Sequence, residues 1–380
     1  MKTGRDLTQG VSAHAIEHDL RALWQQMAEA TQAELQEPVM RACVLNLMVY
    51  APGENSVDEV GQIMAEVTIQ HPSRIFVMLP KPEAAAPNLA AWVTALCHLS
   101  AGARKQVCCE QIMISAEGDA INQLPSLIRP LLVPDLPVVL WWRDVPGFAS
   151  RVFDELTQDS DRVVIDSAKL PDPAEGLVKL ATLMNQRAQR TGFSDLSWSR
   201  LTPWRVLVAG LFDLVDWRAC LARLNRVEIE CTYDHAGRRR IPSQAILIAN
   251  WLASRLKWRP VSKPQWSGEQ TYHAELAWGQ RPITMLIKTT YSAERGRGGL
   301  DVLRLVVESE PAARFVVARS EDGLYLQTTV ELSGTQVDGR VFPVSEQSEA
   351  QLISKELEIV SHDAVYEQAL TFFAGIHVQG

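Results

Sequence analysis

Three stretches of the sequence carry residue types that could bind an anion or a protein partner. The first is the turn His71-Pro72-Ser73-Arg74, which lies between a helix-like and a strand-like segment. An imidazole, a hydroxyl and a guanidinium at such a turn could together hold an anion, because arginine forms strong charge-assisted hydrogen bonds. The alternative is a structural turn in which Arg74 pairs with a carboxylate of the same protein.

The second stretch is the apolar run that ends in Trp141, Trp142 and Arg143. Two prolines frame the entry to a strand at Pro137–Trp142, and ligands and partners gather at the carboxyl ends of parallel strands. Adjacent strand residues face opposite ways, so one indole is expected in the core and the other outward, as a partner-binding residue. The alternative is that helices cover both indoles.

The third stretch is basic. Residues 226–263 hold eight Lys and Arg against three acids, in a chain whose net charge is −8. Arg238, Arg239 and Arg240 lie at its centre, and Arg295 and Arg297 could extend it. This asymmetry predicts contact with an acidic protein surface or a phosphate. The alternative is an ordinary solvated basic turn.

The motifs of nucleotide-dependent enzymes do not occur in the sequence. The turn after the first buried strand, Ala51–Ser56, has one glycine and an acid where a dinucleotide-binding protein has G-x-G-x-x-G. Neither G-x-x-x-x-G-K-[ST] nor G-x-S-x-G is found. His14 and His18 are four residues apart, but without the glutamate of H-E-x-x-H they favour a solvated helix face. We therefore expect no catalytic residues, no cofactor and no metal.

The cysteines and the overall composition indicate a cytoplasmic globular protein. None of the six cysteines forms a C-x-x-C pair, and Cys108 and Cys109 point to opposite faces of a strand, so reduced core thiols are expected. The chain is 47% hydrophobic and mildly acidic, which argues against nucleic-acid binding. No signal-peptide core and no window of 18 apolar residues occurs, so no membrane contact is expected.

The elements that must position these residues form two series. The first series alternates short buried strands with amphipathic helices, which predicts a doubly wound, mainly parallel α/β sheet. Its predicted strands are 42–50, 74–79, 107–115, 137–142 and 162–165, and its predicted helices are 13–33, 57–69, 89–99, 121–132, 150–156 and 173–187.

The second series predicts an α+β domain with an antiparallel sheet. Helices are expected at Trp204–Val215 and Ser243–Leu256, a strand at Val227–Tyr233, and paired strands with short turns from Thr271 to Leu332. Residues 347–373 close the chain as helices. The polar stretch near Gly192 predicts a division into domains 1–192 and 193–380.

Two specific strings identify a family resemblance. One is P-D-L-P-V-x-L-W-W at 134–142, and the other is D-L-x-W-x-R-L-x-P-W-R at 195–205. With the turn at His71–Arg74 and the segment 161–167, they occur in the order and spacing of the glucose-6-phosphate dehydrogenase assembly proteins (OpcA), which this chain resembles. The resemblance covers about residues 40–330.

The resemblance implies a non-catalytic partner that promotes the active oligomer of bacterial glucose-6-phosphate dehydrogenase and activates it in the oxidative pentose phosphate pathway. In photosynthetic bacteria the family is linked to thioredoxin through cysteines, which we do not assign to positions here. Two alternatives stay open: a sensor that binds a sugar phosphate in the α/β crevice, and an enzyme with an unrecognised site.

Overall fold

Strands and helices alternate through the first half of the chain, as the sequence predicts. The computed structural model describes residues 10–33, 39–53, 56–99, 106–144, 148, 150–187, 190–233, 240–292, 299–359 and 362–378. The elements of the first half are α1 (Ala13–Ala33), β1 (Val39–Arg41), β2 (Leu45–Tyr50), α2 (Ser56–Gln70), β3 (Ser73–Lys81), β4 (Asn88–Leu99), β5 (Gln106–Glu117), a 3-10 helix (Gly118–Gln123), α3 (Leu124–Ile128), a 3-10 helix (Arg129–Leu131), β6 (Val138–Trp142), α4 (Arg151–Gln158), β7 (Arg162–Ile165), a 3-10 helix (Ser167–Lys169), α5 (Pro173–Arg187) and β8 (Gly192–Asp195).

The second half is richer in strands. Its elements are α6 (Leu196–Arg200), α7 (Thr202–Leu211), α8 (Val215–Leu221), β9 (Arg226–Tyr233), α9 (Ser243–Arg255), β10 (Arg259–Pro260), β11 (Gln265–Ser267), β12 (Thr271–Trp278), β13 (Arg281–Tyr291), β14 (Gly299–Val307), β15 (Ala313–Arg319), β16 (Tyr325–Leu332), β17 (Thr335–Pro343), α10 (Glu349–Leu357) and α11 (Ala364–Val378).

The chain forms two compact units, and each unit draws on three separate segments. Unit 1 consists of Met1–Ile165, Arg187–Ser194 and Ser348–His362. Unit 2 consists of Asp166–Gln186, Asp195–Gln347 and Asp363–Gly380. The predicted boundary near Gly192 falls inside the second segment of unit 1, and the exchange of the shorter segments is not visible in the sequence pattern.

The sheet of unit 1 has the doubly wound architecture expected from the sequence. Its strand order is β1-β5-β3-β2-β6-β7-β8, and the pairs of β2 with β3 and with β6 are parallel. All six residues of β2 are buried, as expected for a strand covered on both faces. The chain leaves β2 towards β3 on one side and returns to β6 on the other. The carboxyl ends of β2 and β6 therefore border the crevice where doubly wound folds bind ligands.

The segment Leu89–Leu99 is a strand and not the predicted helix. It belongs to β4, which pairs antiparallel with β5 over its full length, from Asn88 opposite Glu117 to Leu99 opposite Gln106. The alanines and leucines of this segment favour a helix locally, but pairing along a long neighbouring strand outweighs that preference. The prediction of a single helix at 121–132 is also wrong, since α3 is flanked by two 3-10 turns.

This strand pair also corrects the prediction of reduced thiols. Cys97 lies directly opposite Cys108, and the two are joined by a disulfide. Cys108 and Cys109 are not joined to each other, as expected from their opposite faces. The free thiols are those of Cys43, Cys109, Cys220 and Cys231.

Unit 2 contains a mixed, mainly antiparallel sheet, as the second series predicts. Its strand order is β10-β12-β13-β9-β14-β15-β16-β17, with β11 beside β12, and β13 and β9 form a parallel pair. Apolar side chains of alternate positions point to the face that packs on α7 and α9, so the strands show alternating burial. The predicted helix Trp204–Val215 is interrupted after Leu211, and α8 follows it.

Candidate functional site

Aromatic side chains of unit 1 pack together at the carboxyl ends of β2 and β6. The ring of Tyr50 stacks on Trp142 with 3.9 Å between centroids, and Phe153 of α4 meets the same indole edge-on at 4.9 Å. Trp141 and Trp142 are each only 1% exposed. The expectation that one indole faces outward is therefore wrong, because both faces of β6 are covered.

Arg143, which follows β6, ties two helices of unit 1 together. Its Nη2 lies 2.5 Å from Oε1 of Glu59 in the first turn of α2 and 3.0 Å from Oε2 of Glu349 in the first turn of α10. Its guanidinium also lies 4.9 Å from the centroid of the Trp141 ring, and its side chain is 8% exposed. Most of its surface is thus already used by contacts inside unit 1.

The first turn of α2 carries negatively charged side chains, unlike the turn that binds a nucleotide. A dinucleotide-binding fold places a pyrophosphate at this helix terminus, where backbone N–H groups and the helix dipole attract negative charge. Here the first turn of α2 holds Asp58 and Glu59. The hydroxyl of Ser56 donates to the carbonyl of Pro52 at 2.7 Å, which closes the turn on itself. The remaining residues of this turn, 54 and 55, lie outside the described residues.

The predicted anion site at His71, Ser73 and Arg74 is a buried ion-pair cluster instead. Arg74 is 5% exposed, and it donates to Glu110 at 2.7 Å and to Glu17 at 2.8 Å. The hydroxyl of Ser73 donates to the carbonyl of His71 at 2.6 Å. Arg41 also binds Glu110, at 2.8 Å, so the two guanidinium groups and the two carboxylates of the cluster already balance each other in charge. Arg74 thus has the carboxylate partners of the same protein that the structural alternative for this turn describes.

Unit 2 brings together two strings that lie far apart in the sequence. Asp166 belongs to the segment 161–167, and Asp195 begins the string D-L-x-W-x-R. Oδ1 of Asp195 accepts from the backbone N–H groups of Ser167 and Ser197, each at 2.9 Å. Arg200 binds Asp166 through two hydrogen bonds of 2.7 and 2.9 Å. The string forms a polar anchor beneath α6, and the sequence gives no sign that Asp166 is its partner.

The two carboxyl groups of this anchor differ in their protonation. Burial, together with the nearby charge of Asp166, raises the pKa of Asp195 to about 7. Burial also disfavours the charge of Asp166, but the hydrogen bonds and charge of Arg200 prevail and lower the pKa of that carboxyl. The Ser167 hydroxyl is close enough to Asp195 to lower its pKa somewhat. Even so, neither that hydroxyl nor Oδ2 of Asp195 has a hydrogen bond of good geometry among the described residues.

The same string positions its tryptophan and its last arginine. The indole N–H of Trp198 donates to Asp363 at 2.8 Å, and the guanidinium of Arg205 lies 3.6 Å from the centroid of the Trp198 ring. Trp204 is 1% exposed. These contacts join α6, α7 and the residue that precedes α11 within unit 2. Packing, hydrogen bonding and the cation–π contact within unit 2 thus use both tryptophans and the last arginine of the string.

A cavity of about 550 Å³ lies beside Arg200, where β9 and β15 end and β14 begins in the sheet of unit 2. Arg200 and Arg319 line it together with four carboxylate side chains, those of Asp301, Glu321, Asp322 and Glu346. Arg200 is already bound to Asp166, so the lining favours a neutral or cationic molecule over a phosphate. This cavity lies in unit 2, whereas the sugar-phosphate sensor that the sequence leaves open would bind in the α/β crevice of unit 1.

The predicted basic segment is only partly described. Arg238, Arg239, Arg295 and Arg297 lie outside the described residues, and Arg240 donates to the backbone carbonyl of Leu170. The exposed basic residues of the segment cluster between the end of α9 and the start of β11: Arg255, Lys257, Arg259 and Lys263. This group is hereafter called the α9 basic cluster.

The part of the chain that the structure describes offers neither a metal site nor a membrane-spanning helix. No group of three or more His, Cys, Asp or Glu side chains among the described residues could hold a metal ion. None of the helices described is both long enough and apolar enough to cross a membrane.

Comparisons with known proteins confirm the resemblance that the two strings indicate. Residues 64–182 match the family described as the glucose-6-phosphate dehydrogenase subunit N-terminal domain, and residues 191–370 match its C-terminal domain. The chain is 28% identical to the "Putative OxPP cycle protein OpcA" of Synechocystis sp. over 82% of its length and 64% of that protein. A Nostoc punctiforme protein of the same name is 29% identical over 83% and 67%. The chain thus spans about two thirds of the length of these relatives.

Solved structures with a similar arrangement are remote in sequence. An oxidoreductase from Sinorhizobium meliloti aligns with a TM-score of 0.47 at 10% identity, covering 89% of this chain and 90% of its own. Levoglucosan dehydrogenase in complex with NADH and levoglucosan aligns with a TM-score of 0.45 at 10% identity, covering 88% and 96%. Similarity at this level says nothing about the chemistry of this chain.

Proposed function

This chain belongs to the family of glucose-6-phosphate dehydrogenase assembly proteins (OpcA), and from that membership we propose that it is a non-catalytic partner that binds and activates a glucose-6-phosphate dehydrogenase. The observation that carries the proposal is the packing of unit 1 at the carboxyl ends of β2 and β6. There, the rings of Tyr50 and Trp142 stack on each other, and Arg143 ties α2 to α10. These contacts among the described residues disfavour a dinucleotide at the carboxyl ends of β2 and β6.

The charges around the crevice support the same interpretation. A pyrophosphate at the start of α2 would meet the carboxylates of Asp58 and Glu59. Arg143, the cation beside this helix turn, is already bound to Glu59 and Glu349. Recruiting that arginine for a phosphate would deprive Glu349, whose side chain is 8% exposed, of this ion pair. Breaking a buried pair of this kind costs several kcal/mol, so nucleotide binding here is strongly disfavoured.

Activation by such a protein follows from linkage. A partner can shift the equilibrium between conformations or oligomers of an enzyme only by its difference in affinity for them. The activating chain would therefore bind the active oligomer of the dehydrogenase more tightly than the inactive form. No group of this chain needs to enter the active site of the enzyme.

The α9 basic cluster is the surface that we propose for contact with the dehydrogenase. Arg255, Lys257, Arg259 and Lys263 are all exposed, in a chain whose net charge is −8. Such a cluster attracts an acidic partner surface and speeds the encounter. It replaces Arg238–Arg240 as the part of the basic segment to be tested, because Arg240 is held by Leu170.

The test is a titration of purified dehydrogenase with this chain, followed by enzyme kinetics and sedimentation velocity. We expect a rise in activity together with a shift to a larger complex, and no NADP binding by the isolated chain in calorimetry. Unchanged kinetics and sedimentation over the titration would refute the partnership. An NADP dissociation constant in the micromolar range, a binding free energy of about −8 kcal/mol, would refute the expectation that the chain does not bind a dinucleotide.

A charge reversal tests the surface separately. The variant Lys257→Glu/Arg259→Glu should slow complex formation and weaken its salt dependence, because charges at the rim of an interface act mainly on the association rate. The matched control is Lys179→Glu on α5, a residue 63% exposed and paired with Glu175 of its own helix. If both variants associate as the parent does, the partner binds elsewhere, and the proposed function still stands on the titration.

A further inference from the structure

The sheet of unit 2 has one face that remains partly exposed. Helices α7 and α9 contact the sheet on the side of the buried residues of β9, β14 and β15. The opposite side is hereafter called the open face. Its paired arginine and glutamate side chains have exposed fractions between 22% and 54%. The sheet therefore has one face inside unit 2 and one face that can be covered from outside.

Apolar side chains lie in the middle of the open face. Val302 of β14 lies directly opposite Ala318 of β15. Val306 and Val316 are the next open-face residues of their strands beside this pair, apart from Arg304, and all four apolar side chains are partly exposed. An antiparallel sheet that faces water normally has polar residues on that side. An apolar centre with a polar rim is instead typical of a protein–protein interface.

The charges of the open face are paired within the face. Three arginines and three glutamates form these pairs: Arg226 with Glu228, Arg304 with Glu228 and Glu230, and Arg314 with Glu331. The net charge of these six residues is zero, whereas that of the whole chain is −8. Covering charges that already have partners leaves none of them buried alone, which is the costly case. Two copies of this acidic chain can therefore meet at this face with little repulsion.

The open face is large enough for a stable dimer. The strands β12, β13, β9, β14, β15 and β16 are neighbours in that order. With about 4.8 Å between strands and about 3.3 Å per residue, six strands of about seven residues cover about 29 by 23 Å. Two such faces bury about 1,300 Å² in total, which lies within the roughly 1,200–2,000 Å² of stable protein–protein interfaces.

We propose that the open face of unit 2 packs on the open face of a second copy of this chain, about a two-fold axis. A two-fold contact uses the same surface on both copies, so a face of balanced charge suits it. The two sheets lie face to face, about 10 Å apart, with the valines of both copies between them. The contact is separate from the surface proposed for the dehydrogenase, because the α9 basic cluster lies outside β9, β14 and β15.

The oligomeric state of the purified chain is the first test. Sedimentation velocity from about 1 to 100 μM should show a dimer that dissociates on dilution, as expected for an interface near the lower end of the standard size. A chain that stays monomeric over this whole range would overturn the proposal. If such a monomer loses its binding to the dehydrogenase when Val316 is replaced by glutamate, the open face is a dehydrogenase surface instead.

Charged residues at the apolar centre make the test specific to the open face. Val316 lies opposite Arg304 of β14. Val302 lies opposite Glu230 of β9. The variants Val316→Glu and Val302→Lys thus each gain a facing opposite charge in the monomer, so the folded chain should tolerate them. In the dimer each variant buries two added charges, one on each copy, which should raise the dimer dissociation constant by at least about tenfold.

Val206→Glu on α7 is the matched control. Val206 is 57% exposed, and its helix packs on the other face of the same sheet. The dimer of this variant should persist. If Val206→Glu dissociates the dimer and the two open-face variants do not, the contact lies at α7 and the proposal is wrong. Circular dichroism and urea unfolding of the three variants distinguish loss of the dimer from loss of the fold.

Discussion

Replacing the buried carboxyl of Asp195 with an amide should stabilise the protein at neutral and alkaline pH. Oδ1 of Asp195 accepts two backbone hydrogen bonds, from Ser167 and Ser197, and an asparagine oxygen can accept the same two. The change therefore keeps the anchor beneath α6 and removes only the ionisation. Asp195→Asn isolates the free energy of placing a negative charge at this buried position.

The magnitude follows from the pKa. The carboxyl has a pKa of about 7 in the folded protein, because burial disfavours its charged form, and a pKa of about 3.9 in the unfolded chain. Well below pH 4 it is neutral in both states. As the pH rises from 4 through 7 the unfolded chain loses its proton first, so the wild type loses stability across this window. A shift of about three pKa units corresponds to at most about 4 kcal/mol at pH 8.

Urea unfolding of the two proteins, followed by circular dichroism at pH 5, 6, 7 and 8, measures this difference. The advantage of Asp195→Asn should grow with each step and level off above pH 8. A difference that stays constant between pH 5 and 8, or an Asn variant less stable than the wild type at pH 8, would refute the reasoning. Asp166→Asn is the control of opposite sign: it removes the charge that Arg200 binds and should destabilise at pH 7 by about 2 kcal/mol or more.

Other interactions give further expected outcomes. Glu356→Gln should lower the free energy of unfolding by about 3 kcal/mol, because it removes the buried carboxylate that Arg162, 2% exposed, binds at 2.9 Å. The control is Glu175→Gln, in an exposed pair with Lys179, which should change the free energy of unfolding by less than about 0.5 kcal/mol. Equal effects of the two glutamines in urea unfolding would contradict this. Reducing the Cys97–Cys108 disulfide, or replacing both residues with serine, should cost about 2–3 kcal/mol, since the bond links residues only eleven positions apart. An unfolding midpoint unaffected by reductant would show that the bond adds no stability.

The parallel sheet of unit 1 is predictable because its strands are short apolar runs between amphipathic helices. The burial of β2 and β3 on both faces leaves little choice of residues, and the pattern shows it. The alanines and leucines of β4 fit a helix or a strand, and its twelve-residue pairing with β5, which decides between them, is not local information. The same ambiguity hides the disulfide, since Cys97 meets Cys108 only if both segments are strands.

The candidate site is less predictable because its partners are distant in the chain. The sequence singles out the indoles of Trp141 and Trp142, but Tyr50 and Phe153, which bury Trp142, come from β2 and α4. Arg74 resembles an anion ligand in the sequence because its carboxylate partners lie 57 and 36 residues away from it. The absence of a glycine-rich turn at 51–56 can be predicted from the sequence, since it depends on local residue types alone.

The three-segment construction of unit 1 also has a consequence during synthesis on the ribosome. Glu349, which binds Arg143, is synthesised 206 residues after it, and Glu356, which binds Arg162, is synthesised 194 residues after it. At about 5–20 residues per second, these carboxylates follow their arginines by about 10 to 40 seconds. The first segment of unit 1 therefore leaves the ribosome without these two ion pairs. They can form only when nearly the whole chain has been made. A chain truncated just before α10 would lack both carboxylates, so neither of these two ion pairs of unit 1 could form.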